Sequence, residues 1–150
     1  MKEITGNLIT LVQEGNFDII VHGCNCFNTM GAGIAKEIKE RLTDAWKIDQ
    51  TTKSGDINKL GNFTFVHYPE FLVFNCYTQY RYGKNHDDGD EKPIDYEAIT
   101  LCLRKINHLY PGKRIGLPLI GCGLAGGDWN IVKKIIEKEL KDMDVTIVKL

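Results

Sequence analysis

Twice in this chain an apolar run breaks into glycines, and twice the glycines give way to apolar residues at helical spacing. The first run, FDIIV over residues 17–21, leads into HGCNCFNTMGAGIA; the second, RIGLPLI over residues 114–120, leads into GCGLAGGDW. Short β-branched runs bounded by glycine are buried strands, and apolar residues three and four apart mark an amphipathic helix. Strand, glycine turn and helix, repeated, belong to a mostly parallel sheet with helices on both faces. Each turn then lies outside the carboxyl end of a strand, where open α/β sheets hold their ligands.

The rest of the chain fits that frame. Residues 2–5 form a short opening strand that runs into Gly6 and Asn7. After Gly33, the residues Ile34, Ile38, Arg41 and Leu42 keep helical spacing, and Trp46 extends the stripe into a second helical segment ending near Ser54 and Gly55. Strands over residues 62–67 and 71–80 flank Tyr68-Pro69-Glu70, a proline turn that predicts a hairpin. Residues 81–92, RYGKNHDDGDEK, are polar and aperiodic, hence an exposed loop whose Lys84, His86 and Asp87 either reach a cleft or, as charge-rich segments usually are, stay solvated. Pro93 suits a first helical turn, and Ile94, Ala98, Leu101, Cys102, Lys105 and Ile106 continue the period to Pro111-Gly112. Val132, Ile135, Ile136 and Leu140 share one face of the helix after the second glycine cluster, and residues 145–148 form a last strand. With 150 residues, 43% of them hydrophobic, and no linker or repeat, one domain over residues 1–150 is expected.

Charge narrows the ligands. Nineteen basic against 20 acidic residues leave a net charge of -1, so no global field draws the chain to nucleic acid or an anionic membrane. An anion must be held by local geometry. No apolar stretch approaches the roughly 20 residues that span a bilayer, which predicts a soluble, cytoplasmic protein. The five cysteines, Cys24, Cys26, Cys76, Cys102 and Cys122, include no C-x-x-C pair and sit mostly in apolar segments, as packed, reduced thiols do. His22, Cys24 and Cys26 alternate along one strand face, but neighbours about 6 to 7 Å apart suit poorly a zinc ion with bonds of about 2.0 to 2.3 Å. Neither metal nor cofactor is expected. A cysteine nucleophile assisted by His22 is conceivable, yet small residues at a crowded loop base account for the thiols better.

Both glycine loops present backbone N–H groups at a helix N-terminus, where unpaired donors and a partial positive charge suit a diphosphate. No G-K-S/T follows either cluster, which excludes a Walker-type loop. Residues 121–126 spell G-x-G-x-x-G, but too little chain follows for a dinucleotide-binding βαβ unit.

The segments Val21-His22-Gly23-Cys24-Asn25, Met30-Gly31-Ala32-Gly33-Ile34-Ala35 and Leu117-Pro118-Leu119-Ile120-Gly121-Cys122-Gly123-Leu124 resemble the two ligand loops of a macrodomain. Within that family the chain is most similar to the branch of ADP-ribose 1''-phosphate phosphatases and terminal ADP-ribose hydrolases. The resemblance implies a three-layer α/β/α macrodomain fold with a mixed, mostly parallel central sheet and a cleft for ADP-ribose. It implies that Asn25, next to Gly23, bonds the distal ribose, and that Met30, Gly31, Ala32, Gly33 and Ile34 line the diphosphate. Pro118, Gly121, Cys122, Gly123, Leu124, Ala125 and Gly126 would close the other side. Asn7, followed by Leu8, stands where many macrodomains have an aspartate that accepts from the adenine amino group; an amide oxygen accepts without charge assistance. Ala125 stands where relatives carry an aromatic residue or, in protein-deADP-ribosylating members, an aspartate, and supplies neither chemistry.

The activity so implied is hydrolysis of ADP-ribose 1''-phosphate, with His22 as base or a water ordered by Asn25 as nucleophile, and Asp128 in a secondary role. His22 could instead be a buried histidine satisfied within the strand, and Asp128 a helix cap. Tyr77, Tyr80 and Tyr82 are candidate adenine-stacking faces or core residues. The competing activities are removal of ADP-ribose from protein or nucleic acid and a non-catalytic reader of ADP-ribose. A monomer is expected, with ADP-ribose, its 1''-phosphate or ADP-ribosylated macromolecules as partners.

Overall fold

Strand β2 (Ile19–Cys24) is buried along nearly its whole length, so both faces of its sheet must be covered. The computed structural model, which describes residues 1–82 and 93–150, covers them with helices. Ile19 and Val21 point to one side, among Ile99, Leu103, Ile106, Val132 and Ile136 of helices α4 (Tyr96–Leu109) and α5 (Trp129–Glu139). Ile20 and Cys24 point to the other, among Ile9, Val12, Ile38 and Ala45 of α1 (Leu8–Gln13), α2 (Gly33–Arg41) and α3 (Thr43–Gln50). Three layers result.

The remaining strands are β1 (Lys2–Thr5), β3 (Phe63–His67), β4 (Leu72–Tyr77), β5 (Arg114–Leu117) and β6 (Asp144–Lys149), ordered β1-β6-β5-β2-β4-β3. Every neighbouring pair is parallel except β3 with β4, the predicted hairpin. The mixed, mostly parallel sheet is therefore the one that folds. At its edge β1 lies against β6, with Lys2 opposite Thr146 and Thr5 opposite Lys149.

Several boundaries differ from the sequence reading: α4 begins at Tyr96 with Asp95 as its cap, which leaves Pro93 and Ile94 before the helix, and β4 ends at Tyr77 instead of residue 80. β2 begins at Ile19 and continues through His22 and Gly23 to Cys24, because β4 offers a partner as far as Tyr77. His22 thereby enters the sheet instead of the loop. β5 stops at Leu117, where Pro118, lacking an N–H, cannot donate to a ladder. Helix α1 was not anticipated: six residues are too few for a period to show, although Asn7 caps it by accepting from Thr10 N and Gly15, at φ 90°, follows its end. Lys84, His86 and Asp87 lie outside the described residues. Among the described residues no helix is long and apolar enough to cross a membrane.

Candidate functional site

Because β2 and β5 are adjacent and parallel, the loops that leave them emerge from the same edge of the sheet. The first loop enters α2 through Ala32, an N-cap with no side-chain acceptor. Among the described residues, the amides of Met30, Gly31, Ala32, Gly33, Ile34 and Ala35 donate to no backbone carbonyl. The second loop folds on itself through Gly126 N to Gly123 O (3.0 Å) and Gly127 N to Gly121 O (2.8 Å), leaving Gly123, Leu124 and Ala125 amides likewise without a carbonyl among the described residues. Uncommitted donors at the start of α2, together with its dipole, favour negative charge.

The glycines of these loops are of two kinds. A Cβ on Gly31, Gly33 or Gly123 would meet nothing within 4 Å, so open space lies over each. A Cβ on Gly121, which has φ +73°, would run into Ile94, and one on Gly127 would come within 2.5 Å of the Gly121 carbonyl oxygen. Gly23 also serves packing, since a Cβ there would come within 2.7 Å of Thr78 Oγ1 and 3.3 Å of Ile120.

Asn25, 9% exposed, braces the first loop: its Nδ2 donates to Thr29 Oγ1 at 2.6 Å and its Oδ1 accepts from Phe27 N at 2.8 Å. Asn7 is committed at both ends. Its Oδ1 accepts from Thr10 N (2.9 Å) and Arg41 (3.2 Å), while Nδ2 donates to Glu37 Oε1 at 2.8 Å. The hydrogen bond from Asn7, and then Arg41, hold the Glu37 carboxyl below the usual glutamate range. Leu8 and Met30 are buried, Ile34, Pro118 and Cys122 half-buried, Leu124 exposed. Ala125 is buried, and its carbonyl accepts from Ile94 N.

His22 has no exposed surface. Its Nε2 lies 2.6 Å from Asn75 Oδ1, and Asn75 Nδ2 donates to Ala45 O (2.8 Å) and Thr64 Oγ1 (3.1 Å). That assignment leaves Asn75 Oδ1 as the acceptor and His22 Nε2 as the donor. Burial pushes the imidazole pKa down from 6.5 to about 4. The ring is neutral, enclosed on the α3 side of the sheet, and bonded within the core. As the strand period requires, Cys24 shares that face, with its Sγ 3.6 Å from His22 Nε2. Burial raises the Cys24 thiol pKa and pushes that of Cys26 up to about 11, so neither is a ready thiolate. Asp128 caps α5 by accepting from Asn130 N at 2.8 Å.

Tyr77 is a core residue, not a stacking face: it is buried and donates to Asp49 Oδ1 at 2.7 Å. Tyr80 donates to Gly55 O, and the exposed Tyr82 lies edge-on to Phe27. Among the described residues no three His, Cys, Asp or Glu are grouped to hold a metal. Two surface grooves, of about 330 and 300 Å³, lie beside α5 and behind the first loop, away from the open glycines. Residues the sequence reading passed over are Glu37, Asn28 and Lys59; neither a charge inside a helical pattern nor a polar residue in a loop carries a signal of which partner it meets.

No family model matches the chain. An uncharacterized 17.5 kDa protein of Enterobacteria phage T4, from the tk-vs intergenic region, is 31% identical over 157 residues, spanning 99% of this chain and 95% of that protein. A Bacteroides thetaiotaomicron crystal structure aligns at TM-score 0.83 and 28% identity, over 100% of this chain and 99% of the other. The macrodomain of Thermus aquaticus DarG aligns at TM-score 0.72 and 21% identity, over 99% and 95%. Thermosipho africanus DarTG, solved in complex with ADP-ribose, aligns at TM-score 0.72 and 19% identity, over 91% of this chain and 39% of that one.

Proposed function

The chain belongs to one family with the 17.5 kDa phage T4 protein and has the macrodomain fold, and on that premise we propose that its two loops bind ADP-ribose and that it hydrolyses ADP-ribose 1''-phosphate. The observation that carries the reading is the pair of amide rows, residues 30–35 and 123–125, at one sheet edge beneath open space. A diphosphate accepts from such donors without a lysine. The distal ribose lies by Asn25, and the adenine end by Asn7 and Leu8, where the carboxylate of Glu37 adds an ionised acceptor.

In the hydrolytic step a water attacks the terminal phosphorus, the bond between phosphorus and the C1'' oxygen breaks, one of the water's protons ends on that oxygen, and inorganic phosphate and ADP-ribose leave. The nucleophile is a water ordered by Asn25 and the loop backbone. His22 is not its base, because Nε2 is committed to Asn75 and the ring is sealed in the core. Measuring ADP-ribose affinity by calorimetry and phosphate release from the 1''-phosphate in parallel tests both halves. Binding with phosphate release is the expected result; absence of binding overturns the whole reading.

A second reading, a non-catalytic reader, draws on the same observation that both sequence candidates for proton transfer are engaged: His22 in the sheet and Asp128 as a cap. Binding without turnover of the monoester, of ADP-ribosylated protein or of ADP-ribosylated nucleic acid would establish it.

A further inference from the structure

The first loop is held from behind by the end of α3 and the turn before the 3₁₀ segment Ile57–Lys59. Cys26 O accepts from Gly55 N (2.7 Å), Phe27 O from Ser54 Oγ (3.3 Å) and Asn28 O from Gln50 Nε2 (2.9 Å). Asn28 is also in the left-handed region, at φ 60°, where a residue with a Cβ needs local support. Its Nδ2 donates to Thr52 O at 2.7 Å, and its Oδ1 lies 2.6 Å from Lys59 Nζ and 3.2 Å from Thr52 Oγ1.

The decisive contact comes from Lys59. Thr52 has one hydroxyl proton, and its shorter contact is to Asp49 O at 2.7 Å, so Asn28 Oδ1 depends on Lys59. Lys59 is only 9% exposed, with Nζ also bonded to Thr52 Oγ1 (2.9 Å) and 5.2 Å above the Tyr77 ring. Desolvating an ammonium is unfavourable without such partners. Here a buried cation is directed at one loop side chain, and that side chain fixes the turn between Asn25 and the open amides.

We propose that Lys59 is a positioning residue, which acts through Asn28 to preset the first loop for its ligand. Without the clamp, Asn28 relaxes out of the left-handed region, and Thr29, whose hydroxyl accepts from Asn25 Nδ2, moves with it. The ligand must then order residues 25–33 as it binds, which weakens affinity. That the ligand is ADP-ribose rests on the function proposed above; the clamp itself does not.

The test uses Lys59→Met, which keeps the stem on Tyr77 and removes the ammonium, and Asn28→Gly, which keeps access to positive φ and removes the side-chain bonds. Asn28→Asp retains an acceptor for Lys59 and serves as the conservative rescue. Amide hydrogen exchange is measured without and with ADP-ribose, beside calorimetric affinity. In Lys59→Met and Asn28→Gly, exchange rises at the bonded amides that hold the loop, Cys26, Phe27 and Gly55, but not in β2 or β5, ADP-ribose restores protection, and affinity falls about 10-fold. Asn28→Asp stays nearer wild type in both readouts. Unchanged exchange in the loop overturns the clamp, and faster exchange with wild-type affinity overturns its role in positioning. If Lys59→Met does not fold, Asn28→Gly carries the same two readouts. If wild-type protein fails to bind ADP-ribose, the functional reading falls, while the unliganded exchange still decides whether the clamp exists.

Discussion

A single methyl group distinguishes the two kinds of glycine in these loops. Gly31→Val places its side chain in open space, so stability changes by less than about 0.5 kcal/mol while ADP-ribose affinity falls at least about 10-fold. Gly121→Ala does the opposite work: the left-handed backbone and the contact with Ile94 destabilise the fold by about 3 kcal/mol, visible as a lower melting temperature. If Gly31→Val binds like wild type, the open space over the first loop is not the ligand's. Both glycines look alike in the sequence, because the letters do not say which way an α-carbon faces. His22 was illegible for a related reason. After five strand residues it looked like the start of a loop, and only its pairing opposite Asn75 on β4 shows that the strand continues past it.

At the scale of elements, α5 separates structure from chemistry at Asp128. Asp128→Ala removes the cap on Asn130 N and costs about 1 kcal/mol, measured by urea unfolding, whereas Asp128→Asn keeps an acceptor and most of the stability. Phosphate release that collapses in Asp128→Asn without a change in melting would assign the carboxylate to the reaction. The longer helices and the hairpin were legible because α4 repeats its period over 14 residues and Pro69 marks the turn. The six-residue α1 was not, because a lone Asn7 after a short strand carries no sign of the helix it caps. Nor could spacing reveal that Glu37, one turn into α2, would meet Asn7 across the seam between two helices.

For the molecule as a whole, the shifted groups pull mostly one way in acid; only Asp49, whose carboxyl burial pushes up, gains from protonation in the folded state. His22 has a folded pKa near 4 against 6.5 for an exposed imidazole, so the unfolded chain binds the proton first and stability falls as pH drops from 6.5 towards 4. The shift corresponds to a loss of up to about 3 kcal/mol. Asp18 beside Arg114, Glu37 beside Asn7 and Glu139 beside Arg104 have depressed pKa values, and their contributions are lost at still lower pH as each is protonated in the folded state. Urea midpoints between pH 7 and pH 4 should therefore decline, and His22→Asn should flatten the upper part of that decline. An equal slope in the variant would show that the imidazole is not the group responsible.

The pairing of β1 with β6 carries a consequence for biosynthesis. Of the described strands, the earliest made sits at a sheet edge against the latest made, and Gly6 N donates to Lys149 O at 2.7 Å directly before Asn7. Until β6 has emerged, β1 lacks its backbone partner, and the turn at Gly6 and Asn7 lacks its bond to Lys149. Assembly of that edge therefore waits for residues 144–149: a nascent chain still held short of them can form the central strands, but not the seam between β1 and β6.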